Sequence, residues 1–330
     1  MTTPVTLPAL DGRDPLGFLA ALGVLHTITS LYGTSTRLAF SNETGAAVLH
    51  SRLADTDAVA AALGEAVAHI GEGCVIDGVG PGFPLRKPNR RQARETGTSQ
   101  QDPMRVRRSD YRNRLHDKVA DLAAPAALDW LSVLVTDLAV DLEGRAALTP
   151  YNAPSGQQSL WTFFEKPLAA VRSEPARLRE ALTGWRRIDK FTGEYLDHRV
   201  LRSAAEHPSG KSTEAGVPGA TWLAIQALPL LRLTGDGRNA KSTLWYRIGQ
   251  RTMMIWPLWH PPLDEHAACV LIEHPLLRPN AAGNGQRAEP RVSRRKLAPL
   301  GVFEVCGAER LTIDGRKSAG VLAPIVIPEA

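Results

Sequence analysis

Residues 14–31 read DPLGFLAALGVLHTITSL and predict a helix that is buried on all sides. The Asp14 carboxylate can accept free N–H groups at the helix start, and Pro15 takes the first helical position, where its missing N–H costs nothing. Apolar side chains then cover nearly the whole circumference, which is typical of a core helix. Gly17 and Gly23 would allow another backbone to approach closely. We therefore expect this helix at the centre of the fold.

The rest of the chain alternates irregularly between helical and strand patterns. Helical periodicity covers residues 57–70, 128–142, 175–188, 222–231 and 263–277. Strand patterns cover 36–41, 74–77, 302–305, 311–314 and 321–327, with a hairpin or a pair of buried strands in 243–259. The regular β-α alternation of a doubly wound sheet is missing. We therefore predict an α+β fold of mixed helices and short strands around the buried N-terminal helix, with Arg-rich loop insertions.

Three parts can be distinguished along the chain. Residues 1–85 form an N-terminal α+β part, residues 86–118 a basic loop or insertion, and residues 119–330 a C-terminal α+β part. A single domain is the alternative, since 330 residues with 43% apolar content can bury one large core. No internal repeat divides the chain further.

Composition favours a reduced, cytoplasmic protein with no membrane partner. The three cysteines are odd in number, far apart and outside any Cys-x-x-Cys pair, which argues against disulfides and zinc. Residues 16–31 lack a basic leader, contain polar side chains and are shorter than the ~20 residues of a membrane span. The net charge of +5 and the pI near 9.3 favour a polyanionic partner.

The positive charge is concentrated between Arg86 and Lys118, where eleven Lys/Arg face four acids and the local charge is +7. Such a block repels itself when compact, so we expect it to be extended or disordered until a polyanion neutralises it. The planar guanidinium group of Arg also suits phosphate. A second basic cluster lies in the Gly/Pro/Asn-rich stretch 278–299.

These two clusters are the predicted nucleic-acid-binding residues, although a merely solvated loop is the alternative for each. The predicted residues are Arg86, Lys87, Arg90, Arg91, Arg94, Arg105, Arg107, Arg108, Arg112, Arg114, Arg287, Arg291, Arg294, Arg295 and Lys296. A third set, Trp185-Arg186-Arg187 with Lys190 and Phe191, could stack bases beside phosphates. Core packing is the favoured interpretation of its aromatic residues.

No catalytic, cofactor-binding or metal-ligating residue is predicted. The Ser209–Thr213 stretch resembles a phosphate-binding loop but has Ala205 where the pattern needs glycine. His266 does not stand in a His-Glu-x-x-His spacing. The pair Asp197-His198 has no second carboxylate pair at usable spacing. We therefore expect a non-enzymatic protein, with a metal-dependent nuclease using His198, His266 or neighbouring acids as one alternative and a scaffold without nucleic-acid contact as another.

Three islands of sequence carry a resemblance to a known family. They are LPALDGRDPLGFLAALGVL (7–25), GATWLAIQALPLL (219–231), and WPLW (256–259) followed by Pro262-Leu-Asp264. In this order they resemble CRISPR-associated proteins of the type I-G (formerly I-U) systems, above all the group described as an extension of the CRISPR helicase-nuclease, and next the large-subunit-like proteins. The resemblance implies a subunit of an antiviral interference complex that contacts crRNA, target DNA or neighbouring effector subunits.

Overall fold

A computed structural model describes residues 3–33, 35–80, 106–120, 125–153, 159–202, 213–282, 288–311 and 320–330, and it confirms the α+β class. Its helices are α1 (Pro15–Tyr32), α2 (Thr56–His69), α3 (Arg108–Ala120), α4 (Pro125–Leu134), α5 (Leu160–Ser173), α6 (Ala176–Thr183), α7 (Pro218–Gln226), α8 (Glu265–Ile272) and α9 (Arg294–Leu297).

The strands are short and form several small antiparallel sheets. They are β1 (Thr3–Asp11), β2 (Arg37–Phe40), β3 (Ala46–Ser51), β4 (Val135–Val140), β5 (Ala146–Leu148), β6 (Ile188–Asp189), β7 (Leu201–Arg202), β8 (Thr213–Gly216), β9 (Leu233–Gly235), β10 (Ala240–Ser242), β11 (Trp245–Ile248), β12 (Arg251–Trp259), β13 (Asn280–Ala282), β14 (Glu289–Arg291), β15 (Val302–Leu311) and β16 (Val321–Ile325). The four-stranded sheet has the order β11-β12-β15-β16, and two three-stranded sheets have the orders β1-β3-β2 and β6-β8-β7.

Helix α1 forms as predicted and lies in the core. The Asp14 carboxylate accepts hydrogen bonds from the N–H groups of Leu16 (3.0 Å) and Gly17 (3.3 Å), and Pro15 is the first helical residue. Among the described helices, α1 alone has a length and apolar composition that would suit a membrane span, and 72% of that stretch is buried inside the molecule. Its apolar surface is therefore covered by the rest of the fold.

The closest helix packing in the described structure is between α1 and α7. A Cβ atom added to Gly23 would lie 1.7 Å from the Leu223 carbonyl oxygen. The two backbones therefore touch, which is possible only because Gly23 has no side chain.

Two sheets, β1-β3-β2 and β11-β12-β15-β16, meet next to α1 through tryptophans of β12. The Trp256 indole N–H donates to the Gly12 carbonyl (2.7 Å), and the Trp259 N–H donates to the Leu38 carbonyl (2.8 Å). The ring of Phe18 lies 5.6 Å from that of Trp256 and 6.2 Å from that of Trp259, between centroids. Residues of all three sequence islands thus pack together in one core.

One hydrophobic cluster extends from Val5 to Ile327 and includes residues of both predicted α+β parts. The boundaries at residues 85 and 118 remain predictions. The three cysteines are unpaired, with Cys306 buried and the other two half-buried.

The predicted helix over 128–142 is wrong in its second half, where the chain forms β4. Val135 and Thr136 pair with Leu148 and Ala147 of β5, so strand pairing overrides the helical period. Leu138, expected on the buried stripe, is 52% exposed. The predicted strand over 74–77 is also wrong, since these residues form bends and the start of a turn and no strand. Strands β1 and β3 and helix α5 were not predicted.

Candidate nucleic-acid interface

The first predicted basic segment is only partly described. Its members Arg86, Lys87, Arg90, Arg91, Arg94 and Arg105 lie outside the described residues, as does Arg287 of the second cluster. Arg107, Arg108 and Arg112 are described, and Arg114 lies within α3.

The prediction of an extended loop is wrong for residues 108–118, which belong to α3. Tyr111 is 5% exposed and Leu115, one turn later, packs against the core, so the helix has a buried stripe. Arg108 and Arg112 both reach the Asp137 carboxylate of β4, at 3.8 Å and 2.6 Å. The charge of this segment alone predicted repulsion. The helix is ordered because Tyr111 and Leu115 pack against the core and because Arg108 and Arg112 share the Asp137 counter-charge.

Arg107 remains available for a ligand. It is exposed and forms no ion pair with any residue that the structure describes. The backbone on either side is held, because the Val106 carbonyl accepts from Ala146 (2.9 Å) and the Arg108 N–H donates to Gly144 (3.1 Å). This cation is therefore presented from a fixed backbone.

The second basic cluster lies on short regular elements and not on the predicted loop. Arg291 ends β14, and Arg294, Arg295 and Lys296 lie in α9. Buried Val292 and Leu297 fix this segment to the molecule. Their apolar contacts account for the ordered structure, which the surrounding Gly, Pro and Arg residues did not predict.

Only part of this second cluster is neutralised. Arg294 pairs with Glu329 through its Nε at 3.1 Å. The side chains of Arg291, Arg295 and Lys296 are exposed and form no ion pair within the described ranges, although the backbone N–H of Arg295 donates to the Glu329 carboxylate (3.4 Å).

Trp185, Arg186 and Arg187 of the third set have structural partners within the molecule. Trp185 packs against the core and donates its indole N–H to the Ala181 carbonyl (3.1 Å). Arg186 pairs with Glu174 at 2.8 Å and Arg187 with Asp197 at 2.5 Å. Packing and ion pairs thus account for these residues without a nucleic acid.

A basic cleft of about 830 Å³ was missed by sequence reasoning. It lies where the β9–β10 hairpin, β11 and the end of α8 meet, and the cations along it are Arg232, Arg238, Lys241, Arg247 and Arg278. Two acids face them. Glu273 pairs with Arg232 at 2.7 Å, and Asp236 pairs with Lys241 at 3.3 Å.

The remaining cations of the cleft, Arg238, Arg247 and Arg278, form no ion pair with a described residue. Beside them stand Trp245 and Tyr246 of β11, both half-buried. Burial raises the pKa of Tyr246 to about 12, against the opposing effect of the nearby Arg278. These cations are scattered along the chain among acids and apolar residues, so no local charge run marks them. The run Trp245-Tyr246-Arg247, in which two aromatic residues directly precede a cation, is the local signal that could have pointed to the cleft.

The described parts of both predicted clusters lie on elements that neighbour the cleft in the fold. Helix α3 packs on β4, and β4 contacts β9, with a backbone bridge between Ala139 and Gly237. On the other side, Arg278 precedes β13, whose Asn280 pairs with Arg291 in β14. One intervening element therefore connects each cluster to the cleft.

A separate cluster bears on the nuclease alternative, because Asp14, Asp197 and His198 bring ligand atoms within 4.8 Å of one another. Asp14, which caps α1, thus supplies the second carboxylate that is missing from the sequence around Asp197-His198. His266 does not join the group and is exposed on α8.

This cluster does not fit a metal ion, because N–H donors already hold every carboxylate oxygen. Asp14 Oδ1 caps α1, and its Oδ2 accepts from Arg199 at 2.5 Å. Asp197 Oδ1 accepts from Arg199 at 3.1 Å, and its Oδ2 accepts from Arg187 at 2.5 Å. Two guanidinium groups balance two carboxylates. We interpret the cluster as a structural ion-pair network that ties the start of α1 to the turn at residues 198–200.

Asp14 should make stability fall as the pH rises from 4 to 6. Burial raises the pKa of Asp14 to about 6, while Arg199 and the Leu16 and Gly17 amides oppose the rise. The unfolded value is about 3.9, so the folded state binds the proton more tightly. This contribution is fully present below about pH 4 and is lost through about pH 6, amounting to roughly 3 kcal/mol.

The measurement is urea unfolding of the wild type and Asp14→Asn at pH 4, 5, 6 and 7. The free energy of unfolding of the wild type should fall relative to that of the variant up to about pH 6, and the difference should then be constant. The pKa of Asp197 is lowered, so this carboxylate titrates below the pH range of the measurement. Parallel pH curves for the two proteins would contradict the prediction.

The fold and the site together define an α+β protein with a basic, aromatic-lined cleft and two neighbouring basic clusters. No protein-family model matches the chain, and no curated protein shows significant sequence similarity to it. Its function must be argued from its own residues.

Proposed function

We propose that this chain is a non-enzymatic subunit of a type I CRISPR interference complex that binds the backbone of crRNA or target DNA through its basic surface. The support for the complex is the resemblance of the three sequence islands. These islands contribute core residues, such as Phe18, Gly23 and Trp256. The resemblance therefore bears on the fold, and the binding surface must be argued from charge.

The observation that carries the binding proposal is the set of exposed cations without acidic partners. Arg107, Arg291, Arg295 and Lys296 are such cations within the described residues. Elsewhere many arginines are matched to acids, as in Arg13–Glu304 and Arg251–Glu309. Unmatched cations gain free energy when phosphates release their counterions, whereas matched ones gain little.

The test is a titration of the protein against labelled RNA and DNA at several salt concentrations. The logarithm of the binding constant should fall linearly with the logarithm of salt concentration. Changing Arg291, Arg295 and Lys296 to Gln should make the slope for a single strand less steep by about 2. The charge-matched control changes Arg37, Lys166 and Arg179, which are exposed and distant in sequence from these clusters, to Gln. A flat salt dependence, or no binding at low salt, would refute the proposal.

Two further observations separate this proposal from its alternatives. Cleavage of plasmid or single strands with Mg²⁺ or Mn²⁺, abolished by His198→Ala, would instead support the nuclease. Purification with acidic protein subunits but without nucleic acid would support the scaffold. A CRISPR array and a helicase-nuclease gene beside the gene for this chain would support membership of the complex.

A further inference from the structure

We infer that the cleft binds a single-stranded segment of nucleic acid, with phosphates at Arg238, Arg247 and Arg278 and bases against Trp245 and Tyr246. The inference rests on the proposed function and adds to it the site and the strand type. None of these five residues belongs to the basic clusters that the sequence predicted.

The charges of the cleft suit a chain of phosphates. Its lining has five cations and two acids, and both acids already face a cation. Three guanidinium groups are left without a carboxylate in the part of the chain that the structure describes. Each can hold a phosphate through two parallel N–H donors, which a lysine cannot do.

The hairpin presents one of these cations from a rigid turn. The Asp236 side chain accepts the N–H groups of Arg238 (3.3 Å) and Asn239 (2.9 Å), which closes the turn between β9 and β10. These bonds and Lys241 hold the pKa of Asp236 at about 2, so it stays ionised and keeps the turn closed. A cation on such a turn loses little freedom when it binds.

The aromatic side of the cleft is also held in place. Trp245 packs edge-on against the buried Tyr151 ring, with centroids 5.8 Å apart, and Tyr151 donates its hydroxyl to the Thr243 carbonyl (2.7 Å). Leu244, just before Trp245, has φ at +68° and is 1% exposed. A leucine with φ in the left-handed region has a strained backbone. The packing around Leu244 must therefore hold the turn that leads into Trp245 and Tyr246.

A single strand fits this arrangement better than a duplex or an acidic peptide. Bases of a duplex are stacked inside the helix, so rings set within a cleft cannot reach their faces. An acidic peptide would satisfy the guanidinium groups but would leave the aromatic surface without a matching group. Single-strand sites combine a positive groove with rings on which bases stack, and this cleft has both.

The test measures binding to a labelled oligothymidine, an abasic strand of equal length and a duplex of the same length. The wild type should prefer the oligothymidine to the abasic strand by at least about fivefold. Changing Arg238, Arg247 and Arg278 together to Gln should make the single-strand salt slope less steep by about 2. The Arg37, Lys166 and Arg179 control should keep the wild-type slope and preference.

Two checks keep the test independent of folding. Thermal unfolding should show similar midpoints for the cleft variant, the control and the wild type, because all substituted residues are exposed and the Arg179–Asp57 pair that the control loses is at the surface. A variant with Lys at Arg238, Arg247 and Arg278 should restore the salt slope, since the charge is regained. Failure of that restoration would count against phosphate contact in the cleft.

The outcomes distinguish this inference from the proposed function. If the wild type binds no strand, both fail. If binding is salt-dependent but the cleft variant behaves as the control does, the proposed function stands and the cleft assignment is overturned. Equal affinities for the oligothymidine and the abasic strand would overturn base stacking, and the single-strand assignment would fail with it. Displacement of the strand by poly-glutamate at equal charge concentration would overturn it in favour of an acidic protein partner.

Discussion

Gly23→Ala is expected to lower the free energy of unfolding by at least about 3 kcal/mol. The added Cβ would lie 1.7 Å from the Leu223 carbonyl oxygen and 2.6 Å from its carbonyl carbon. Both atoms are backbone of α7, so no side-chain rotation can relieve the overlap. The helices would have to separate, and the packing along their whole contact would loosen. The gain of about 1 kcal/mol in helix propensity from Gly to Ala cannot offset this.

Gly64→Ala is the matched control, because Gly64 also lies inside a helix, α2, and a Cβ there meets nothing within 4 Å. It should stabilise the protein by about 0.5–1 kcal/mol. Urea unfolding followed by circular dichroism measures both variants. A Gly23→Ala protein as stable as the wild type would mean that α1 and α7 do not pack in this way.

The second large effect is expected at Asp197, where substitution by Ala should cost about 3–5 kcal/mol. The carboxylate is almost fully buried and holds Arg187, whose side chain is only 16% exposed. It also accepts from the side chain and backbone N–H of Arg199. Its removal leaves a buried guanidinium group without a counter-charge and frees the turn at residues 198–200.

Asp57→Ala tests the same chemistry at the surface, because Asp57 pairs with Arg179 at 2.5 Å while both side chains are exposed. It should cost less than about 1 kcal/mol. Adding Arg187→Met to Asp197→Ala should recover part of the loss, since the unpaired charge is then removed. Equal effects of Asp197→Ala and Asp57→Ala, or no recovery in the double variant, would refute the structural role. Loss of wild-type stability on adding a chelator would indicate a metal there.

Much of the α+β architecture could be predicted because its signals are local. The cap at Asp14 and the proline after it act within one turn of α1. The hairpin in 243–259 is confirmed, with β11 and β12 paired from Trp245↔Met254 to Ile248↔Arg251. The helix in 57–70 is confirmed with a start one residue earlier, capped by Asp55.

The failures occur where a distant partner decides the local structure. Residues 135–140 carry a helical period, but pairing with β5 makes them a strand. Arg108 and Arg112 belong to a run that should repel itself, yet Asp137 lies opposite both and allows a helix. Neither partner can be identified from the local pattern.

The candidate site also has one part that the local sequence predicts and one part that only the fold shows. The two basic clusters were visible as charge runs, whereas the cleft draws its cations from five separate positions between residues 232 and 278. Only the fold shows which cations lack an acid, because Arg232 and Lys241 are paired, whereas Arg238, Arg247 and Arg278 have no acidic partner among the residues that the structure describes.

By itself, the sequence of this protein determined a buried N-terminal helix, a mixed α+β class and an excess of basic residues. Caps, periodicity and composition act over a few residues, so they can be read without knowing the fold. The tertiary structure decided which backbones touch at Gly23 and Leu223, which carboxylates meet at Asp14 and Asp197, and which of the described arginines have a described acid beside them. Those outcomes depend on atoms brought together from distant parts of the chain, where electrostatic and packing energies change within a few ångströms.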